Sequence, residues 1–137
     1  MKKTILITGI ASLLVGCSSV VLEPGAHAII ASPNKAPKVC KYLGQVVGNQ
    51  GNFLTGGFTS NRNLEAGAMN DLRNQAHKLG ANYIQIITSR AGVTGSMSGG
   101  TLGYGSPGYM SGSSQQTNVT NLGNAYHCPP QSIGLDE

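Results

Sequence analysis

Three cysteines, three histidines and five carboxylates are the side chains of this 137-residue sequence that could ligate, react or move protons. His27, His77 and His127 raise the question of a metal site. The spacing argues against one: His127 and Cys128 are neighbours on a predicted strand and point to opposite faces. The chain contains no HxH, HExxH or CxxC. The carboxylates are Glu23, Glu65, Asp71, Asp136 and Glu137, two of them at the tail. They form no pair placed for general acid–base work, which needs positioned groups of matched pKa, and no nucleophile elbow accompanies them. The glycines of residues 92–112 are not a phosphate loop, because no Gly-Lys-Ser/Thr follows and a strand, not a helix, comes next. No enzyme, metal or cofactor is expected. The densest polar set is Asn70, Asp71, Arg73, Asn74 and Gln75. Asn70, Arg73, Asn74 and His77 lie three or four apart and share one face of a helix, while Asp71 and Gln75 form an ordinary i,i+4 pair. Asn70, Asp71, Arg73 and Asn74 read as an interaction face, with a solvated helix face as the plain alternative.

Cysteine chemistry is more informative. Lys2 and Lys3 precede an apolar run from Ile5 to Val15, too short to span a bilayer. Small Gly16 follows, then Cys17. This is the layout of an export signal. Leu14-Val15-Gly16-Cys17 resembles the bacterial lipobox. The resemblance implies removal of a lipoprotein signal peptide, residues 1–16, a diacylglycerol on the Cys17 thiol, and acylation of the new amine with a palmitate-type chain. Ser18 rather than Asp after the cysteine implies the outer membrane. With Cys17 assigned to lipid, Cys40 and Cys128 remain as an even pair in an exported chain, which reads as a disulfide. A catalytic redox pair would sit close in sequence at a helix start. Nine lysines and arginines face five carboxylates; losing Lys2 and Lys3 leaves seven against five, so the mature chain carries no nucleic-acid patch.

These residues must be positioned by a small domain. Residues 17–25 form a lipidated tether and 26–130 one domain, with a flexible Gly/Ser-rich insert at 91–117 and a tail at 131–137. Ala26 to Ala31 predicts a first strand, and Val39 to Val47 a second. Gly48 to Ser60 reads as loop. Asn61 to Leu79 predicts the helix. Asn61 or Asn63 is its expected cap, Leu64, Ala68, Leu72, Ala76 and Leu79 its apolar stripe, and Gly80 its left-handed stop. Gly67 either weakens the helix or allows close approach to a strand. Tyr83 to Thr88 predicts a third strand and Val119 to Cys128 a fourth. Ala91 to Gln116 carries no charge and little apolar surface, so a flexible hairpin loop is expected. The order β-β-α-β-β gives an α+β fold, a small mainly antiparallel sheet with one helix packed on one face.

Gly67-Ala68-Met69-Asn70-Asp71-Leu72-Arg73-Asn74-Gln75-Ala76, then Leu79-Gly80-Ala81-Asn82, resembles a YjeI-like family of small bacterial envelope lipoproteins of unknown function. Cys40, Leu43-Gly44-Gln45-Val46 and Tyr126-His127-Cys128-Pro129 extend the resemblance. It implies an envelope lipoprotein, anchored to the membrane with its domain in the periplasm. The polar helix face of Asn70, Asp71, Arg73 and Asn74 adds the expectation that it binds or senses an envelope component or envelope protein partner. The missing motifs and low charge add the expectation that it is neither an enzyme nor a nucleic-acid binder. A more distant similarity, to RcsF and to YbjQ-like domains, implies two alternatives: a stress-signalling lipoprotein or a metal-binding module. Only two cysteines after the anchor and a shorter tether set this chain apart from RcsF.

Overall fold

Residues Ile30–Ser32 (β1), Lys41–Gly51 (β2), Tyr83–Gly100 (β3) and Tyr109–His127 (β4) build one sheet, and Asn61–Lys78 (α1) packs on it. The structure is a computed structural model that describes residues 18–52, 56–100 and 109–135. The expected signal at 1–16, Cys17, part of the insert and the two tail carboxylates lie outside these residues. Strand order is β1-β3-β4-β2. β1 runs parallel to β3, and the other pairs are antiparallel. The fold is α+β, with one helix on a small mixed sheet.

Alternation places the core. Along β4, Thr117, Val119, Asn121, Gly123 and Ala125 are buried and the residues between them are half-buried. That is the period-two pattern of a sheet with one covered face. The covering stripe is the one the helix spacing predicts: Leu64, Ala68, Leu72 and Ala76 are fully buried. They pack with Val46, Ile84, Val119 and Ala125. Burying each leucine contributes about 2 kcal/mol. Leu79 departs from the stripe and stays exposed, because the helix has already ended there. Gly80 turns the chain at φ 78°, as expected for a left-handed stop.

Four local expectations are corrected. Ser60, not Asn61 or Asn63, caps α1: its backbone is extended and its hydroxyl oxygen accepts from the Asn63 N–H at 3.3 Å. Ala26 to Ala28 belong to a 3-10 turn, Pro24–Ala28, because Pro24 presets the turn and Ala26 N–H closes it on Glu23 C=O. The strand is therefore only β1, ending before Pro33. β2 continues past Val47 to Gly51. Gly48 is not a breaker there. It is the point where the helix backbone lies on the strand, and a Cβ would overlap the Ala68 carbonyl oxygen and Leu72 amide nitrogen.

The fourth correction concerns the insert. β3 runs to Gly100 and β4 begins at Tyr109, with Val93 to Gly100 paired against Gln116 to Tyr109. The expectation of a loop rested on the lack of burial. A ladder needs only backbone N–H and C=O groups, which glycine and serine supply like any residue. The two threonine hydroxyls at its root, Thr94 and Thr117, lie 3.1 Å apart. The result is a two-stranded arm that continues past the end of β2, where Gly51 pairs with Asn118.

Cys40 and Cys128 form a disulfide across 88 residues, with Cα atoms 4.2 Å apart. They flank the antiparallel β2–β4 pair, just outside Lys41 and His127. Asn82, which follows Gly80-Ala81, holds the bridge from behind. Its side-chain oxygen accepts from the Cys128 N–H at 2.8 Å, and its amide donates to the Cys128 carbonyl at 2.7 Å. An asparagine amide carries both donor and acceptor and so satisfies a whole peptide unit.

Candidate interaction face

The helix residues expected to face a partner are turned toward the chain itself. Residues 20–25 run alongside α1 toward its C-terminal end. The Asn74 side chain, 5% exposed, accepts from the Glu23 N–H and donates to the Val21 carbonyl, both at 2.9 Å. Asn70 donates to the Val20 carbonyl at 2.7 Å. Val20 is also held from the sheet, because its N–H donates to Gln50 Oε1 at 2.9 Å. Gln50 fits there because Gly67 has no side chain: a Cβ would overlap the Gln50 amide oxygen and stand 2.7 Å from its Cγ. Of the two roles expected of Gly67, close approach is the one realised. Gly25 likewise lets the segment pass His77, whose imidazole a Cβ would overlap. Ala26 and Ile29 then enter the core beside Leu72 and Ala76.

Asp71 serves another element. One carboxylate oxygen accepts from the Asn49 N–H of β2 at 2.9 Å, and the other accepts from the Gln75 amide at 3.2 Å, the expected i,i+4 pair. β2 is an edge strand, and Asp71 closes one of its outward donors. Arg73 is half-buried, and its Nε is buried without a hydrogen-bond partner among the described residues. Asn70, Asp71 and Asn74 therefore form an internal clamp on residues 20–23 and on β2, not an open face.

The histidines sit on three different elements. His27 is exposed in the 3-10 turn and His77 is exposed on the last turn of α1. His127 is exposed at the end of β4, with Nδ1 3.1 Å from the Gly80 carbonyl oxygen. Among the described residues, no three His, Cys, Asp or Glu side chains gather as a metal cluster. Sequence reasoning missed Gln50 and Asn82. Gln50 gives no periodic signal. Asn82 gives a signal of another kind, an amide that can both donate and accept, placed just behind a helix stop.

Replacing Asn74 by alanine leaves the Val21 carbonyl and Glu23 N–H without their partner, a loss of about 1–3 kcal/mol. The expected result is faster hydrogen exchange at Val21–Glu23 and new protease cleavage ahead of Ala26, with α1 amides still protected. Unchanged exchange in that segment would mean the clamp contributes nothing.

Residues 20–128, which hold the clamp, the sheet and the disulfide, match the family described as a domain of unknown function, DUF4156, and the chain belongs to that family. It is similar to the uncharacterised protein YjeI of Escherichia coli K12, with 37% identity over 84 residues, covering 61% of this chain and 72% of that protein. The same figures hold for YjeI from Escherichia coli O6:H1 strain CFT073 and from Shigella flexneri.

Proposed function

We propose that this protein is a non-enzymatic lipoprotein of the outer membrane, anchored through Cys17, whose periplasmic domain binds or senses an envelope component. The observation that carries the reading is the clamp. The segment directly behind Cys17 is bonded to α1 and β2 from Val20 onward, so a cut before Cys17 would leave the domain whole and fastened close to its lipid. The Cys40–Cys128 disulfide suits an oxidising compartment. The binding role does not rest on Asn70, Asp71 and Asn74, which act inside the fold. It rests on the uncharged β3–β4 arm.

The test is the intact mass of the full chain extracted from bacterial membranes. The expected mass lacks residues 1–16 and carries a diacylglyceryl group and an acyl chain. A Cys17→Ser variant should lose both and leave the membrane fraction. A wild-type protein with an unmodified, uncleaved amino terminus would overturn the reading.

A further inference from the structure

We infer that the end of the domain carrying Phe58 and the root of the β3–β4 arm rests on the bilayer that holds the Cys17 anchor, with the arm lying along the lipid headgroups. The inference deepens the lipoprotein reading and rests on it. Its first support is tether length. Val20 is bonded on both sides, to Gln50 and to Asn70. Only Ser18 and Ser19 separate it from Cys17, and three Cα–Cα steps reach about 11 Å at most.

The second support is direction. From Val20 the chain passes Asn74 and then His77, toward the helix C-terminus. Traced backward from Glu23 to Val20, the described chain therefore runs toward the helix N-terminal half, and the tether to the anchor starts from there. That end holds the 3-10 turn Gly56–Phe58, fastened to β4 where the Gln115 amide donates to the Gly57 carbonyl at 2.6 Å. It also holds the root of the arm. Beyond it, Val93 to Gly100 continue as strand, and eight residues at about 3.3 Å each reach about 26 Å. The arm outreaches the tether, so a domain on so short a tether brings its arm to the surface.

The chemistry of that end suits a headgroup layer. No residue from Ala91 to Gln116 is charged; the carboxylate at this end is the exposed Glu65, beside Ala91 at the arm's root, with the exposed Arg62 three residues before it on α1. Phe58 and Val93 are 84% and 67% exposed, apolar side chains left uncovered by the described residues. A two-stranded ribbon has open backbone edges and cannot enter hydrocarbon. It can rest at the interface, where water and headgroups satisfy those edges.

The chain has no tryptophan, so single-tryptophan reporters are clean. Phe58→Trp probes the proposed face. Val39→Trp, also exposed, probes the opposite end beside the disulfide. Each full-length variant is expressed in bacteria, checked for acylation by mass, and reconstituted into phosphatidylethanolamine–phosphatidylglycerol vesicles with and without brominated acyl chains. Interfacial burial of the reporter predicts that bromination cuts the emission of Phe58→Trp about twofold or more and leaves that of Val39→Trp unchanged. Equal quenching in both variants, or none in Phe58→Trp, in acylated protein overturns the inference while leaving the lipoprotein reading intact. Protection of the Phe58→Trp reporter that depends on protein density and ignores bromination would assign the face to a second copy and also overturn it. An unacylated product removes both.

Discussion

Alanine at both Cys40 and Cys128 is expected to lower the stability of the domain by about 4–5 kcal/mol, the loop-closure value for a bridge spanning 88 residues. Domains of this size have total stabilities of about 5–15 kcal/mol, so the loss is a large share. The bridge acts mainly on the unfolded chain, which it shortens to a loop. It also joins the outer end of an edge strand to its partner. The Asn82 clamp keeps the Cys128 backbone in place without the sulfur, so the variant should fold to the same structure at low denaturant. The measurement is urea unfolding of wild type, wild type with reductant, and the double-alanine variant. The last two should coincide at a much lower midpoint. A midpoint unchanged by either treatment would show that the bridge does not stabilise the domain.

Valine at Gly48 is expected to be nearly as damaging, at about 3 kcal/mol, the upper part of the range for overpacking a tight contact. A Cβ there overlaps the Ala68 carbonyl oxygen and Leu72 amide nitrogen and stands 2.7 Å from the Leu72 Cα. These are helix backbone atoms, which cannot rotate aside like the end of a flexible side chain. The helix must lift from β2, loosening Leu72 and Val46 from the core they share. The cost is steric, because Gly48 is not among the glycines with positive φ. Gly57→Ala is the control: its Cβ would first meet Gln115 Oε1, at an ordinary 3.5 Å. Urea midpoints should separate the two variants widely. Equal, small effects would mean the helix–strand contact yields easily.

The elements most legible in the sequence are those whose signal is local and periodic. The helix follows from the spacing of four that links Leu64, Ala68, Leu72 and Ala76, and its stop from Gly80. The strand cores follow from alternation. The extent of β2 was not legible, because glycine at 48 looks like a loop residue until a helix is laid on it. The arm was not legible either, because composition reports the lack of apolar surface and is silent on backbone pairing.

The interaction face shows the same limit in chemistry. Asn70, Asp71, Arg73 and Asn74 stand out as a polar cluster on one helix, and helical spacing says which of them share a face. It does not say what lies across from that face. The answer depends on residues about 20 to 50 positions away, Val20 to Glu23 and Asn49.

Residue types and short-range spacing alone determined the α+β class, the helix and the pairing of the two sulfurs, because each depends on neighbours within a few positions or on a count. Tertiary structure decided which polar groups remain open to a partner. Hydrogen-bond partners are set by what packs alongside, and here the fold pairs the side-chain amides of Asn70 and Asn74 with Val20 to Glu23.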